Sequence, residues 1–241
     1  GLSGIGAACH LEMECPQKSF IILEARDAIR GTWDLFRYPR GRSDSDMYTL
    51  GYRFRPWRDP KAIADGPAIL KYIREVAAEY GVDKKVRYGH RVRRVSWSSV
   101  NARWVVEVED TAGAQHRELS CNFLYSCTGY YDYEQGYTPD WRGLERYRGR
   151  MVHPQKWPNT LDYDNKRIIV IGSGATAITL VPALAERAAH VTMLQRSPSY
   201  VAIRPTKDFI ANMLRRCLPD RAAYVLARWK NVLPGTFFYK L

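Results

Sequence analysis

Two glycine turns in the sequence are spaced to hold phosphate. Gly1, Gly4 and Ala7 fit the end of the pattern G-x-G-x-x-G-x-x-A, and Gly172-Ser173-Gly174-Ala175-Thr176-Ala177 supplies a second turn. Glycine lets backbone approach a pyrophosphate, and the helix that follows offers free N–H groups and a positive partial charge. The residue closing the next strand sets the ribose preference. After the first turn it is Glu24, twenty residues beyond Gly4 and just past the apolar run Phe20-Ile21-Ile22-Leu23. A carboxylate there accepts bonds from a ribose diol and repels a 2′-phosphate, so this turn suits FAD or NAD rather than NADP. After the second turn, Val191-Thr192-Met193-Leu194 leads into Gln195-Arg196-Ser197. Arg196 can pair with a 2′-phosphate and the Ser197 hydroxyl can add a bond, which selects NADPH. A flavin site beside an NADPH site implies hydride flow from nicotinamide to flavin.

The elements that must carry these turns follow from the surrounding pattern. Ile168-Ile169-Val170-Ile171 provides a buried strand ahead of the second turn. No such strand precedes Gly1, so the numbering is expected to begin inside a βαβ unit, which needs that strand to seat its helix. Residues 25–60 are rich in Arg, Tyr, Trp and Asp with little periodicity and read as a long ligand-contacting loop. Asp65-Gly66-Pro67 opens a helix whose apolar stripe is Ile69, Ile73, Val76, Ala77 and Tyr80, and Gly81 stops it. Strands are predicted from Lys85 to Ser126, with a turn at Thr111-Ala112-Gly113. A linker rich in Pro, Trp and Asp fills 135–165. Beyond Tyr200 the chain becomes helical, basic and amphipathic, through Ile210, Met213, Leu214, Leu218, Tyr224, Val225, Ala227 and Trp229. This stretch reads as cap helices, with peripheral membrane contact as the alternative. The fold class is therefore α/β, with two incomplete Rossmann-like dinucleotide-binding domains. The first, residues 1–134, carries a β-meander; residues 135–241 hold the linker, the second domain and the terminal helices.

Composition narrows the classes of partner. The chain has 241 residues, 46% hydrophobic and 26% charged, which is ordinary for a globular protein with a core. Its net charge of +12 invites nucleic acid or a membrane surface as partners. The cations are scattered, however, and their densest run, Arg87 to Arg94, reads as a solvated strand face rather than a nucleic-acid motif. Five cysteines, none in a C-x-x-C pair, argue against a disulfide framework or zinc site and fit a reducing cytoplasm. The same spacing lacks the redox pair that a disulfide reductase sets beside its flavin. Ile168 to Ala185 runs eighteen residues without a charge, but Gly172, Gly174 and Pro182 divide it into strand, turn and helix rather than a membrane span.

Three further segments resemble one family. Tyr147-Arg148-Gly149-Arg150-Met151-Val152-His153-Pro154-Gln155-Lys156-Trp157-Pro158 resembles the Baeyer–Villiger monooxygenase fingerprint F-x-G-x-x-x-H-x-x-x-W-P, with Tyr for Phe. Gly31-Thr32-Trp33-Asp34-Leu35-Phe36-Arg37-Tyr38-Pro39, followed by Arg42-Ser43-Asp44-Ser45-Asp46-Met47-Tyr48, resembles the flavin-contact loop of those enzymes. Cys127-Thr128-Gly129 resembles their strand-end turn. The chain is most similar to the first half of FAD-containing monooxygenases that activate the thioamide prodrug ethionamide. That resemblance implies FAD and NADPH as cofactors. It also implies oxygenation of a small ketone or sulfur compound by O₂ activated at flavin C4a. By position, Gly1, Ser3, Gly4, Glu24, Thr32, Trp33, Asp44 and Val92 match FAD contacts. Arg42, Ser43 and Asp44 match the place where nicotinamide meets flavin, and Gly172 through Ala177 with Arg196 and Ser197 match the NADP site. Gly149, His153 and Trp157 match the linker between domains, with His153 expected to act as a hydrogen-bonded hinge. Asp44 matches the carboxylate that holds a catalytic Arg, which in the family lies past the end of this sequence, so the chain alone is expected not to turn over. The family pattern sets Gly where Arg30 and Arg40 stand, and Arg at a left-handed backbone position would be strained. The rival readings are an inactive gene-fragment product and an NADPH-dependent flavoprotein reductase.

Overall fold

The computed structural model describes residues 1–111, 113, 115–198, 201 and 205–238; Ala112 of the expected turn and the last three residues lie outside these. Its contacts group the chain into two compact units, Gly1–Leu35 with Leu70–Tyr133, and Phe36–Ile69 with Glu134–Leu241. Residues 36–69 therefore make their contacts with the C-terminal part of the sequence.

In the first unit, α1 (Leu2–Glu14) starts directly after Gly1 and leads to the short strand β1 (Ile22–Leu23). One-turn helix α2 (Thr32–Leu35) follows. Helix α4 (Gly66–Glu79) begins in the other unit and ends in this one. Of its predicted stripe, Ile69, Ile73, Val76 and Ala77 are fully buried and Tyr80 only half-buried, and Gly81 ends the run at φ +68, where a side chain would be strained. Strand β2 (Val86–Arg87) pairs in parallel with β1, Ile22 opposite Val86. The meander β3 (His90–Ser98), β4 (Arg103–Asp110) and β5 (His116–Cys121) is antiparallel throughout. It is joined to β1 at Glu24, whose N–H donates to Arg87 O at 3.0 Å and whose carbonyl accepts from His90 N at 3.0 Å. The basic run on β3 faces carboxylates of β4, Arg93 on Glu109 and Arg94 on Glu107, as a solvated strand face requires. The ladder stops at Cys121, short of the predicted Ser126. Phe123 and Tyr125 are mostly exposed there, and among the described residues no neighbouring strand pairs with them.

The second unit is built on β6 (Arg167–Ile171) and β7 (His190–Leu194), paired in parallel and joined by α5 (Ala175–Ala185). Leu180 and Leu184 of α5 cover one face of the pair, against Ile168, Val170 and Val191. Ile169, Ile171 and Leu194 point the other way and are more than half exposed. The strand–turn–helix–strand order is the one predicted from sequence. Helices α6 (Phe209–Cys217) and α7 (Asp220–Phe238) pack together as a pair. Their buried contact is with α3 (Met47–Leu50), one turn inside the expected loop: Tyr48, Ala62, Ala211 and Ala227 form a cluster. Polar groups fix that contact. Asn231 Nδ2 donates to Asp46 Oδ1 at 3.1 Å, and Arg228 donates to Tyr48 O at 2.8 Å. Among the described residues no helix is long and apolar enough to cross a membrane.

Candidate functional sites

The first glycine turn is closed by chain-to-chain contact. Gly1 sits at the N-terminus of α1, where the first N–H groups have no partner within the helix. It lies so close to Gly31 that a Cβ on Gly31 would stand 2.7 Å from Gly1 Cα, and Gly31 itself has φ +75. Both facts require glycine at position 31. A Cβ on Gly4 would stand 3.6 Å from Cys127 Cβ, an ordinary van der Waals contact, so α1 packs beside the Cys127-Thr128-Gly129 segment. A small pocket opens here, with Gly1, Gly4, Glu24, Ile29 and Val86 among its walls. Glu24 lines this pocket together with Gly1 at the start of α1. Its carboxylate accepts from Arg26 N at 3.2 Å and lies 3.7 Å from the Arg26 guanidinium.

Arg26 in turn stacks on the Tyr133 ring at 4.5 Å. The Tyr133 phenol is held above its ordinary range by burial, against the opposing charge of Arg26. Thr32 and Trp33 open α2 beside Gly31. Ser3 is exposed on the first turn of α1. Val92 is 41% exposed and precedes a β-bulge at Arg93. All seven of these expected FAD positions, from Gly1 to Val92, therefore fall in the first unit, and Asp44 falls in the second. Arg30 has no left-handed backbone, so the strain expected there is absent; its guanidinium spans Asp27 at 2.9 Å and Asp34 at 3.3 Å.

The second turn is open. Gly172 has φ +126 and extends the strand pair through its N–H to Leu194 O at 2.8 Å. A Cβ on Gly172 or on Gly174 would meet nothing within 4 Å. Among the described residues nothing crowds these two glycines ahead of α5. Ser173, Gly174, Ala175 and Thr176 continue the turn, and buried Ala177 turns inward. Arg196 and Ser197 follow β7 directly and are exposed; Arg196 has no ion pair among the described residues.

Asp44 is exposed between two anchored neighbours. Buried Ser43 donates its backbone N–H to Ala64 O at 2.9 Å and its hydroxyl to Ser45 O at 2.8 Å. The backbone at Arg42 forms an isolated antiparallel β-bridge with that at Asp65. Asp46, also buried, caps α3 by accepting from Thr49 N at 3.1 Å. Arg40 adopts φ +58, so the strain expected at this position is present, and its guanidinium pairs with Glu186 at 2.7 Å. The fingerprint residues are packing residues here. Gly149 leaves room for the Tyr147 ring, and Gly136, which the sequence did not single out, leaves room for His153: a Cβ there would fall 2.1 Å from His153 Nδ1. That nitrogen accepts from Gln155 N at 3.2 Å, capping a short 3₁₀ turn. Trp157 packs edge-on to Tyr163, 6.3 Å between centroids, against the Leu180 and Leu184 cluster.

One complete β–α–β unit, followed by Arg-Ser, and one glycine-led helix whose next strand ends at Glu24 are the Rossmann-type elements of this chain. The sequence profile of the flavin-binding monooxygenase-like family matches residues 60–237, and the chain belongs to that family. It is 55% identical over 240 residues to the FAD-containing monooxygenase EthA of Mycobacterium tuberculosis, covering 99% of this chain and 49% of that protein. Among solved structures it resembles an oxidized steroid monooxygenase bound to NADP (TM-score 0.74, 28% identity, 93% of this chain and 41% of that one). It also resembles OTEMO in complex with FAD and NADP (TM-score 0.70, 28% identity, 83% and 38%). The chain spans about half the length of the curated relatives it matches.

Proposed function

We propose that this chain carries the FAD-binding and NADPH-binding parts of a flavin-dependent monooxygenase that uses NADPH and O₂ to oxygenate a small ketone or sulfur compound. One observation carries the reading: a chain of the flavin-binding monooxygenase-like family repeats the glycine turn with opposite ribose partners, Glu24 and Arg196. Bound FAD would supply the ring that accepts hydride from NADPH and activates O₂. The protein's part is to hold and orient. Gly1, Ser3 and Gly4 offer the α1 N-terminus to the FAD pyrophosphate, and Glu24 accepts from the ribose diol. Thr32, Trp33 and Val92 complete the FAD contacts in residues 1–134. Gly172 to Ala177 seat the NADPH pyrophosphate in residues 135–241, with Arg196 and Ser197 on the 2′-phosphate. Arg42, Ser43 and Asp44 are assigned to the nicotinamide, and Asp44 also to the flavin and to positioning a catalytic Arg supplied by further sequence. His153 keeps its hinge role, supported by its seat on Gly136 and its bond from Gln155 N.

FAD titration of the chain, followed by flavin fluorescence, tests the first half of this assignment. Saturable quenching that Glu24→Arg weakens at least tenfold is expected, because a lost ribose bond and a repelled partner each cost on the order of 1 kcal/mol. Absence of saturable binding to wild-type chain would count against the flavin reading.

A further inference from the structure

Residues 24–34 wrap around one guanidinium. Arg26 stands two positions after Glu24, and its side chain is 24% exposed. Its backbone N–H donates to Glu24 Oε1 at 3.2 Å, and its Nε lies 3.7 Å from the same oxygen. One terminal nitrogen donates to Gly31 O at 3.5 Å, and the other lies 3.7 Å from Asp34 Oδ2. The Tyr133 ring supports the plane from below, 4.5 Å from the guanidinium carbon. A guanidinium carries several donors in a rigid plane, so it can serve two carboxylates, a carbonyl and a ring together.

These partners divide into anchors and a target. Gly31 O, Asp34 and Tyr133 are the anchors. Asp34 is 7% exposed and also takes Arg30 at 3.3 Å, and Gly31 is the residue packed against Gly1. All of them lie in the first unit, so the guanidinium is fixed by contacts within one body. The target is Glu24, the carboxylate in the wall of the pocket beside Gly1. Both contacts of Arg26 with it fall on Oε1, and among the described residues no donor reaches Oε2. A free glutamate loses rotamer entropy when a ligand fixes it, and an anchored cation removes that cost by fixing it beforehand.

We propose that Arg26 is a positioning residue for the FAD ribose: it holds Glu24 by Oε1 and leaves Oε2 to accept from the ribose diol. This rests on the flavin reading of the first turn. Arg26 acts through Glu24 and not on the cofactor. The ribose determinant of this turn is then a pair, Glu24 with Arg26, rather than the acid alone.

A double-mutant cycle in FAD affinity, read by flavin fluorescence, tests the coupling of the two residues. Arg26→Ala is expected to weaken FAD about fivefold in the protein that keeps Glu24, the size of a partly buried ion pair. In Glu24→Gln, which keeps the side-chain shape and removes the charge, the same substitution should weaken FAD less than about twofold. Arg26→Lys keeps the charge and the stem without the planar fork, and it carries the test where Arg26→Ala does not fold. Its loss of FAD affinity should likewise depend on Glu24. An Arg26 that only supports the fold would weaken FAD alike in both backgrounds. Equal losses in the two backgrounds, or no loss in either, overturn the proposal and leave the flavin reading intact. Absence of saturable FAD binding by the wild-type chain overturns the flavin reading and this proposal with it.

Discussion

The two glycine turns share a pattern and use it differently. In the first, glycine serves contacts within the protein: Gly31 against Gly1, and Gly4 against Cys127. In the second, no atom of the described residues comes within 4 Å of a Cβ built on Gly172 or Gly174. Their flanks differ too. Glu24 is engaged by Arg26, whereas Arg196 stands exposed without an ion pair among the described residues. Two overlapping pieces of one glycine pattern therefore sit in different surroundings, packed in one place and open in the other. Sequence pattern alone cannot distinguish them; contact distances can.

Substitution of the glycine packed against the first turn and of one in the second turn should break the comparison most sharply. Gly31→Ala introduces a Cβ at 2.7 Å from backbone in a left-handed conformation, and is expected to cost about 3 kcal/mol of stability. Gly174→Ala has an ordinary φ of −76 and open space, so its stability should change by less than about 0.5 kcal/mol while NADP⁺ affinity falls. Urea midpoints for both variants, with NADP⁺ titration of the second, check this. Equal stability losses would erase the distinction.

The first turn's helix should also show a pH signature that the second lacks. Cys9 on α1 is fully buried, and desolvation pushes its thiol from 9.0 to about 11. The folded state holds this proton more tightly than the unfolded one. The associated stability is complete below pH 9 and lost as pH rises through 11, amounting to about 3 kcal/mol. Urea denaturation at pH 8 and 10.5 should reveal the decline, and Cys9→Ala should flatten it. An unchanged slope in that variant would assign the decline elsewhere.

A smaller effect sharpens the account of the second unit. Asp208 caps α6 by accepting from Ala211 N at 3.0 Å and pairs with Lys230 of α7. Burial opposes its ionisation, but the Ala211 bond and Lys230 outweigh it and lower its pKa. Its contribution is present above the ordinary carboxylate range and is lost as pH falls through the lowered folded value. Asp208→Ala should cost about 1 kcal/mol, measured at neutral pH, and should cost nothing once the carboxylate is protonated.

Much of this architecture was legible in the residues. The run Ile168 to Ile171, the glycine turn, an apolar helix and Val191 to Leu194 announce a β–α–β unit, because each element has the periodicity its burial demands. The α4 stripe and the Gly81 stop were equally plain. What stayed hidden depends on distant partners. Residues 36–69 are polar and aperiodic, so nothing local says that Tyr38 packs on α5 or that Asp46 meets Asn231, 185 residues away. The one-turn helices α2 and α3 are too short for a 3.6-residue period, although Asp46 before Thr49 is a capping signal that could have marked α3. The seat of His153 on Gly136 joins residues seventeen apart with no intervening pattern.

The contrast between Glu24 and Arg196 is tested most directly by calorimetric titration of the chain with NADP⁺ and NAD⁺, in wild type and in Arg196→Ala. The account predicts that wild type prefers NADP⁺ by about tenfold or more, the size of one charge-assisted contact, and that Arg196→Ala removes the preference. Equal affinity of wild type for the two nucleotides would contradict it.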